Sequence, residues 1–266
     1  MKTLKRYLRL YAIFFRNCIV REMEFRANFV ANSITAVAWL VYYLFFIEIV
    51  YSHTNAVAGW GKGHALILAG SFSISWGLMN ALFSPNLSML PEHIQKGTFD
   101  FTLTKPVDSQ FLATTRTINL AEFSRAIMSV FVVIYGVHIS RIDVTLASLF
   151  VYLTLLACSL LILLGIDSLI MTLSFWLVRI RNLDATFWSI SIMARYPVDI
   201  FKGTILGKAL TFFIPLAFIA TVPARGLIKN LEIWMLPMAL GFAIGLMMAS
   251  RILWKRAIRS YSSAGG

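Results

Sequence analysis

The chain has 266 residues, of which 59% are hydrophobic and 14% charged, and its mean hydropathy is +0.76; soluble domains carry roughly 25% charged residues. A water-soluble globule of this composition would lack the polar surface to cover itself, so the chain belongs in a lipid bilayer. The net charge of +12 and pI near 10.0 make nucleic acid a partner to consider, but Lys and Arg cluster at the ends of apolar blocks, where they mark membrane topology and argue against a phosphate-binding face.

Residues 1–28 carry Lys2, Lys5, Arg6, Arg9, Arg16, Arg21 and Arg26 against Glu22 and Glu24. Leu4, Leu8, Tyr11, Phe15 and Ile19 recur at three- and four-residue steps, which predicts an amphipathic helix lying in the headgroup layer; a helix packed on a soluble partner is the alternative. Arg16, Arg21 and Arg26 interrupt this run and no small-residue cleavage site follows, so no signal peptide is expected. A first span is predicted over 29–51, rich in aromatics (Trp39, Tyr42, Tyr43, Phe45, Phe46) toward its outer half. A Gly-containing loop with Trp60 and Lys62 leads to a second span over 65–83. Residues 85–118 are polar, hold Pro91 and Pro106, and form the longest excursion from the bilayer. A third span covers 121–138. The fourth apolar stretch, 144–178, is interrupted only by Asp167, and as one helix it would run roughly 50 Å, so it must tilt, break or project. Three apolar pieces follow, at 184–194, 205–222 and 232–250. Pro215, Thr221 and Pro223 make the middle one a broken or re-entrant hairpin, because irregular backbone survives at membrane depth only when buried in protein or lining a cavity; a seventh full span is the alternative. Gly241 and Gly245 give the last span the spacing of a close helix contact. Seventeen of the 24 Lys and Arg then lie on one side, including Arg179, Arg181 and the tail 251–266, which places both termini inside and makes six spans. The end of that tail is expected to be disordered.

Little in the sequence suggests catalysis. Gly203, Gly207 and Lys208 fall one residue short of a phosphate-binding loop, with Ala209 where a Mg²⁺-binding hydroxyl is needed and no strand before it, and they read as a loop. His53, His64, His93 and His138 have no ligand partner at metal spacing, and no nucleophile-elbow pattern occurs. Cys18 and Cys158 read as small packing residues. No enzyme activity, resident cofactor or metal site is expected. Glu48 and Asp167 lie in apolar blocks, where a carboxylate is expensive and becomes a substrate-path candidate, as counter-ion for a cation. Equally, Glu48 lies three residues from the outer end of its span and can reach water, and Asp167 can lie near the inner interface of an overlong helix.

The segment Leu90-Pro91-Glu92-His93-Ile94-Gln95-Lys96-Gly97-Thr98-Phe99-Asp100-Phe101-Thr102-Leu103-Thr104-Lys105-Pro106-Val107 resembles the cytoplasmic loop of ABC-2 type permeases: an amphipathic helix, a Gly that ends it, a Phe- or Leu-containing stretch, a basic residue and Pro-Val. Tyr196-Pro197-Val198-Asp199-Ile200-Phe201, Ile214-Pro215-Leu216-Ala217-Phe218 and Val222-Pro223-Ala224 are similar to the late region of a bacterial exporter subfamily of the same kind. The resemblance implies an all-α integral membrane protein with six transmembrane helices, an N-terminal amphipathic interfacial helix (1–28), a permease domain (29–250) with a cytoplasmic coupling helix (loop 85–118) and an outer re-entrant element near 203–228, and a basic cytoplasmic tail (251–266). It implies that Glu92, His93, Gln95, Lys96 and Asp100 offer polar contacts, and Ile94, Phe99 and Phe101 an apolar anchor, to an ABC ATPase subunit that carries ATP and Mg²⁺, with Gly97 ending the coupling helix. It further implies a second permease subunit, a bacterial plasma membrane, and export of a hydrophobic or amphiphilic substrate such as a lipophilic cation. The region 195–229 departs from the pattern, being more basic than an outer segment should be. An ATP-independent carrier and a non-transporting membrane anchor are the rival readings.

Overall fold

A computed structural model describes residues 2–177 and 183–262. Arg179 and Arg181, the last residues of the 251–266 tail, and the side chains of Lys2 and Leu4 lie outside the described residues. The described chain is all-α apart from one two-residue hairpin. Five of its helices are long and apolar enough to cross a bilayer: α2 (Arg26–His53), α3 (Lys62–Leu82), α8 (Glu122–Ser140), α9 (Leu146–Thr172) and α13 (Met235–Ser260). The other helices are α1 (Lys2–Glu24), α4 (Ser84–Leu87), α5 (Leu90–Gln95), α6 (Asp100–Leu103), α7 (Ser109–Thr115), α10 (Leu183–Ser191), α11 (Ile205–Lys208) and α12 (Thr221–Leu227). Strands β1 (Ala56–Val57) and β2 (Trp60–Gly61) pair in register Ala56 to Gly61 and Val57 to Trp60. Both central residues of that turn, Ala58 and Gly59, have positive φ, the condition for a two-residue hairpin that follows strand twist.

Helix α3 is the core. It packs on α2, α8, α9 and α12 and buries almost every residue from Ala65 to Gly77. Its contact with α8 is a small-residue seam. A Cβ on Gly63 would lie 2.1 Å from Ser140 Oγ, one on Gly70 would lie 2.5 Å from Val133 Cγ2, and one on Gly77 would lie 3.1 Å from the Ala126 amide; a Cβ on Gly136 would lie 2.8 Å from the Gly63 carbonyl. Burial of apolar surface adds nothing between helices in lipid, so close backbone approach and dispersion hold this pair. Helix α2 instead buries a single stripe, Ala36, Leu40, Tyr43 and Ile47, and leaves Trp39, Val41, Tyr42 and Phe45 open, as expected of a lipid-facing helix.

The stretch from α10 to α12 is irregular, and its side chains show where it runs. Trp76, near the C-terminal end of α3, stacks on Phe187 (5.7 Å, 17°) and meets Trp188 edge-on at 4.9 Å. Arg195 lies over Phe72 in the middle of α3, and Asp199 Oδ2 accepts from the Trp60 indole (2.8 Å) just before its start. Residues 187–199 thus run alongside α3 from Trp76 back past its start at Lys62, about 21 Å of helix at 1.5 Å per residue. They do so through a nine-residue helix, a 3-10 turn at Ile192–Arg195 and a second one at Val198–Phe201. The chain then enters α11, a five-residue π-type stretch and a 3-10 turn. Ser159, midway along α9, donates to the Ile219 carbonyl (2.7 Å), whereas six residues later Arg225 is back at Asp199 (2.5 Å).

Several sequence boundaries change. The first helix ends at Glu24, not 28, because Phe25 leaves helical geometry and α2 starts at Arg26, whose Nε donates back to the Met23 carbonyl (3.2 Å). The fourth apolar stretch is α-helical from Leu146, where Thr145 and Ser148 form a reciprocal cap, to Thr172, and continues as a 3-10 turn over Leu173–Phe175. The 184–194 piece is α-helical to Ser191 and then 3-10, the 205–222 piece is broken as its prolines predict, and the Gly203–Ala209 loop contains one turn of helix capped by Thr204. Gly241 and Gly245 meet nothing within 4 Å, so the contact their spacing suggested is absent within the described chain.

Candidate functional site

Both terminal helices and the 85–118 excursion gather at one end of the bundle. Pro91 starts α5 in its first turn, where its missing N–H is no loss, and Gly97, at φ +69°, turns the chain out of it. The Phe99 amide then donates to the His93 carbonyl (3.1 Å), closing the turn. Asn86 binds the far side of the excursion, donating to the Thr114 and Thr117 carbonyls (3.1 and 2.7 Å) and accepting from the Thr117 amide (2.6 Å). Four short helices are therefore held as one unit.

That unit is locked to two membrane helices. Phe99 is buried among Phe175 (5.3 Å between centroids), just past α9, and Trp254 (6.0 Å) and Tyr261 (5.7 Å), at the end of α13. All three contacts are edge-to-face, the arrangement that adds about 0.5–1.5 kcal/mol per pair beyond area burial. Beside this box Arg251 donates through Nη1 to Asp108 Oδ1 (2.9 Å) and Gln110 Oε1 (3.0 Å), and through Nη2 to Asp108 Oδ2. Gln110 Nε2 donates to Ser250 Oγ (2.9 Å) and the Trp254 indole to Ser109 Oγ (3.1 Å). Partial burial alone would raise the Asp108 carboxyl; the Arg251 hydrogen bonds and the Phe111 amide outweigh it and hold the group below the usual Asp value. Helix α1 joins the same end: Arg6 donates to the Pro106 carbonyl (2.6 Å), Tyr7 Oη accepts from the Asp108 amide (3.2 Å), and buried Cys18 Sγ accepts from the Ile118 amide (3.3 Å). Leu8, Phe15 and Ile19 stay open on its other face.

The residues singled out in the sequence divide into two groups. Glu92, His93, Gln95 and Lys96 are exposed on α5. Lys96 Nζ bonds Glu92 (2.5 Å), and that hydrogen bond holds the Glu92 carboxyl below its usual value. His93 Nδ1 is hydrogen-bonded to Thr98 Oγ1 (2.9 Å). Ile94 and Phe99 face inward and are buried, so of the three expected apolar anchors only Phe101 is open, and Met89 joins it. Asp100 sits beside Tyr261; burial first, and then this carboxylate, raise the Tyr261 phenol.

The structure does not bring Glu48 and Asp167 together. Glu48 lies at the opposite end of the bundle, paired with Lys62 (2.8 Å) on an exposed surface. Asp167 is buried in α9 within reach of Ser84 and near Asp184, and its Oδ1 has no hydrogen-bond partner. Asp108, Arg251, Phe175 and Trp254, which join the excursion to the membrane helices, were missed by sequence reasoning. Asp108 precedes a short apolar run in N-cap position and could have been found; the others carry no local signal.

Comparison with known proteins gives a family. Residues 37–265 match a family model described as ABC-2 family transporter protein. No curated protein and no solved structure matches.

Proposed function

The chain belongs to the ABC-2 transporter family, and on that premise we propose that it is the permease subunit of an ATP-binding cassette exporter, moved by separate ATPase subunits that bind ATP and Mg²⁺. The observation that carries this reading is the mechanical path from α5 to the bundle. Helix α5 presents Glu92, His93, Gln95 and Lys96 outward with Phe101 beside them, while Phe99 directly behind is wedged between the ends of α9 and α13. An ATPase that grips the outer face moves two membrane helices through one buried ring. The subunit works with a second permease, itself or a relative, in alternating access.

Six crossings fit this reading. Five are the long helices, and the sixth is the broken 183–201 segment, supported by its successive contacts with Trp76, Phe72 and Trp60 along α3. The 205–228 element is re-entrant: Asp199, shortly before it, and Arg225, near its end, are paired, while Ile219 between them reaches the middle of α9. The cations carried by the described residues of the excursion and the terminal helices mark that end as the one facing the cytoplasm of a bacterial cell. The substrate is hydrophobic or amphiphilic. A secondary carrier would need convergent ion-binding groups, and Glu48 and Asp167 lie at opposite ends.

Cysteines placed at Glu92 and Phe101 should cross-link to a co-expressed ATPase and should be shielded from a polar maleimide when it is bound. Transport that proceeds without nucleotide, or labelling of both cysteines only from outside the cell, would overturn the assignment.

A further inference from the structure

One charge in the middle of the bundle has no counter-charge. The Arg195 guanidinium carbon lies 4.8 Å from the centroid of the Tyr43 ring and 5.6 Å from that of Phe72. Phe72 is the central residue of the 21 in α3, so this cation lies about 15 Å from either end of that helix, the depth at which an uncompensated Arg is most costly. The neighbouring carboxylates are engaged elsewhere: Glu122 with Arg125 (3.4 Å), Asp199 with Arg225, and Glu48 with Lys62. Residues 178–182 and 263–266 contain no Asp or Glu, and among the described residues no carboxylate lies within ion-pair distance of Arg195. Arg195 Nε is buried without a hydrogen-bond partner. Arg125 is within electrostatic reach and adds like charge. Two aromatic faces offset part of that cost but accept none of the guanidinium hydrogen bonds that water would satisfy.

A narrow cleft of about 60 Å³ opens beside this group, with Arg195 the charged residue among its described lining. Phe46, Ile47, Val50 and Leu68 make its walls. Its rim, Phe46, Tyr196 and Ile200, is 42–44% exposed, on the same side as the open face of α2. An apolar cleft, open toward lipid and lined by one unpaired cationic residue, is complementary to a molecule with an apolar tail and one anionic head.

We propose that this cleft binds a single-tailed amphiphile carrying one phosphate or carboxylate group, its head bound by Arg195 and its tail held between α2 and the 196–200 segment. The site deepens the permease reading by giving its substrate a negative head, and rests on that reading only for the word substrate; binding itself does not depend on an ATPase. A guanidinium presents paired N–H groups that match two oxygens of such a head.

The test is titration of the purified full chain, in neutral detergent, with dodecyl phosphate, dodecyltrimethylammonium and inorganic phosphate, read by calorimetry. Dodecyl phosphate is expected to saturate one site per chain, the cation and inorganic phosphate to show none, and Arg195→Gln to weaken binding at least ten-fold. Arg195→Lys should recover part of the affinity. Val50→Trp, which fills the cleft and leaves Arg195 in place, should abolish binding. Equal affinity in wild type and Arg195→Gln, or equal binding of the cationic amphiphile, overturns the site. Reconstitution with the ATPase separates the two readings: ATP-driven movement of dodecyl phosphate supports both, whereas arginine-dependent binding without any such movement keeps the site as one for an anionic lipid and overturns the substrate assignment.

Discussion

The two ends of the bundle are fastened by the same three kinds of group, an Asp, an Arg and a Trp indole, and differ in how well water is kept out. Away from the termini, Asp199 pairs with Arg225 and accepts from the Trp60 indole, with the ion pair's side chains 15% and 18% exposed. Beside the termini, Asp108 pairs with Arg251 and the Trp254 indole goes to Ser109, with side chains 30% and 40% exposed. A sealed pair loses much when one partner is removed, because the survivor stays desolvated; an open pair is screened and can be remade. The first arrangement is a fixed staple for irregular backbone at the end away from the termini. The second is a latch, suited to the moving joint that the proposed function requires.

The largest expected effect follows from the staple. Asp199→Asn leaves Arg225 without a carboxylate and should destabilise the protein by about 3 kcal/mol, read as thermal unfolding in detergent; a loss no greater than that of Asp108→Asn would erase the distinction between the ends. Next comes the α3–α8 seam. Gly70→Val should cost about 1–3 kcal/mol by overpacking, since its Cβ would lie 2.5 Å from Val133 Cγ2 and 3.0 Å from the Ser129 carbonyl. Gly241→Val, facing open space, should stay within about 0.5 kcal/mol. Asp108→Asn should then lower stability by about 1 kcal/mol or less, with the loss shrinking as salt is raised. Its larger consequence should be ATP hydrolysis that no longer drives transport, because the excursion slips against α13.

The pH dependence of the latch has a definite sign. The Asp108 carboxyl titrates below its unfolded value, so its contribution is complete above the ordinary Asp range near 4 and is lost as pH falls through the lower, folded value. Loop protection from a protease should therefore be flat from pH 5 to 8 in wild type, and a drop centred near neutrality would mean that another group holds the latch. The smallest effect belongs to Glu92→Gln. The Glu92–Lys96 pair is more than half exposed and unfolding should not change measurably, so any defect in that variant would be one of ATPase docking alone.

The legible parts of the sequence were those where one residue type dictates a local outcome. Long apolar runs gave the membrane helices, and Pro91 and Gly97 bounded α5. The apolar piece at 184–194 was legible, though its α-helix has only nine residues; the contact of Arg195 with Phe72, halfway along α3, was not, because Arg195 read as a charge of the outer segment. The Gly spacing was misleading in the same way. Gly241 and Gly245 carry the familiar four-residue step but face nothing, whereas Gly63, Gly70 and Gly77, seven apart, form the seam because Ala126, Val133, Gly136 and Ser140 stand opposite. Whether a small residue is a contact depends on the partner helix, which no single segment encodes.

By itself the sequence determined that this protein lives in lipid, that its spans are helical and that one polar excursion leaves them, because transfer of apolar side chains and satisfaction of backbone hydrogen bonds act segment by segment. Only the tertiary structure decided which residues join that excursion to α9 and α13, which of two similar ion pairs is sealed, and that Arg195 is held over Phe72 at mid-depth. Those outcomes depend on distances between groups far apart in the chain, and Coulomb and dispersion energies exist only once folding has set those distances.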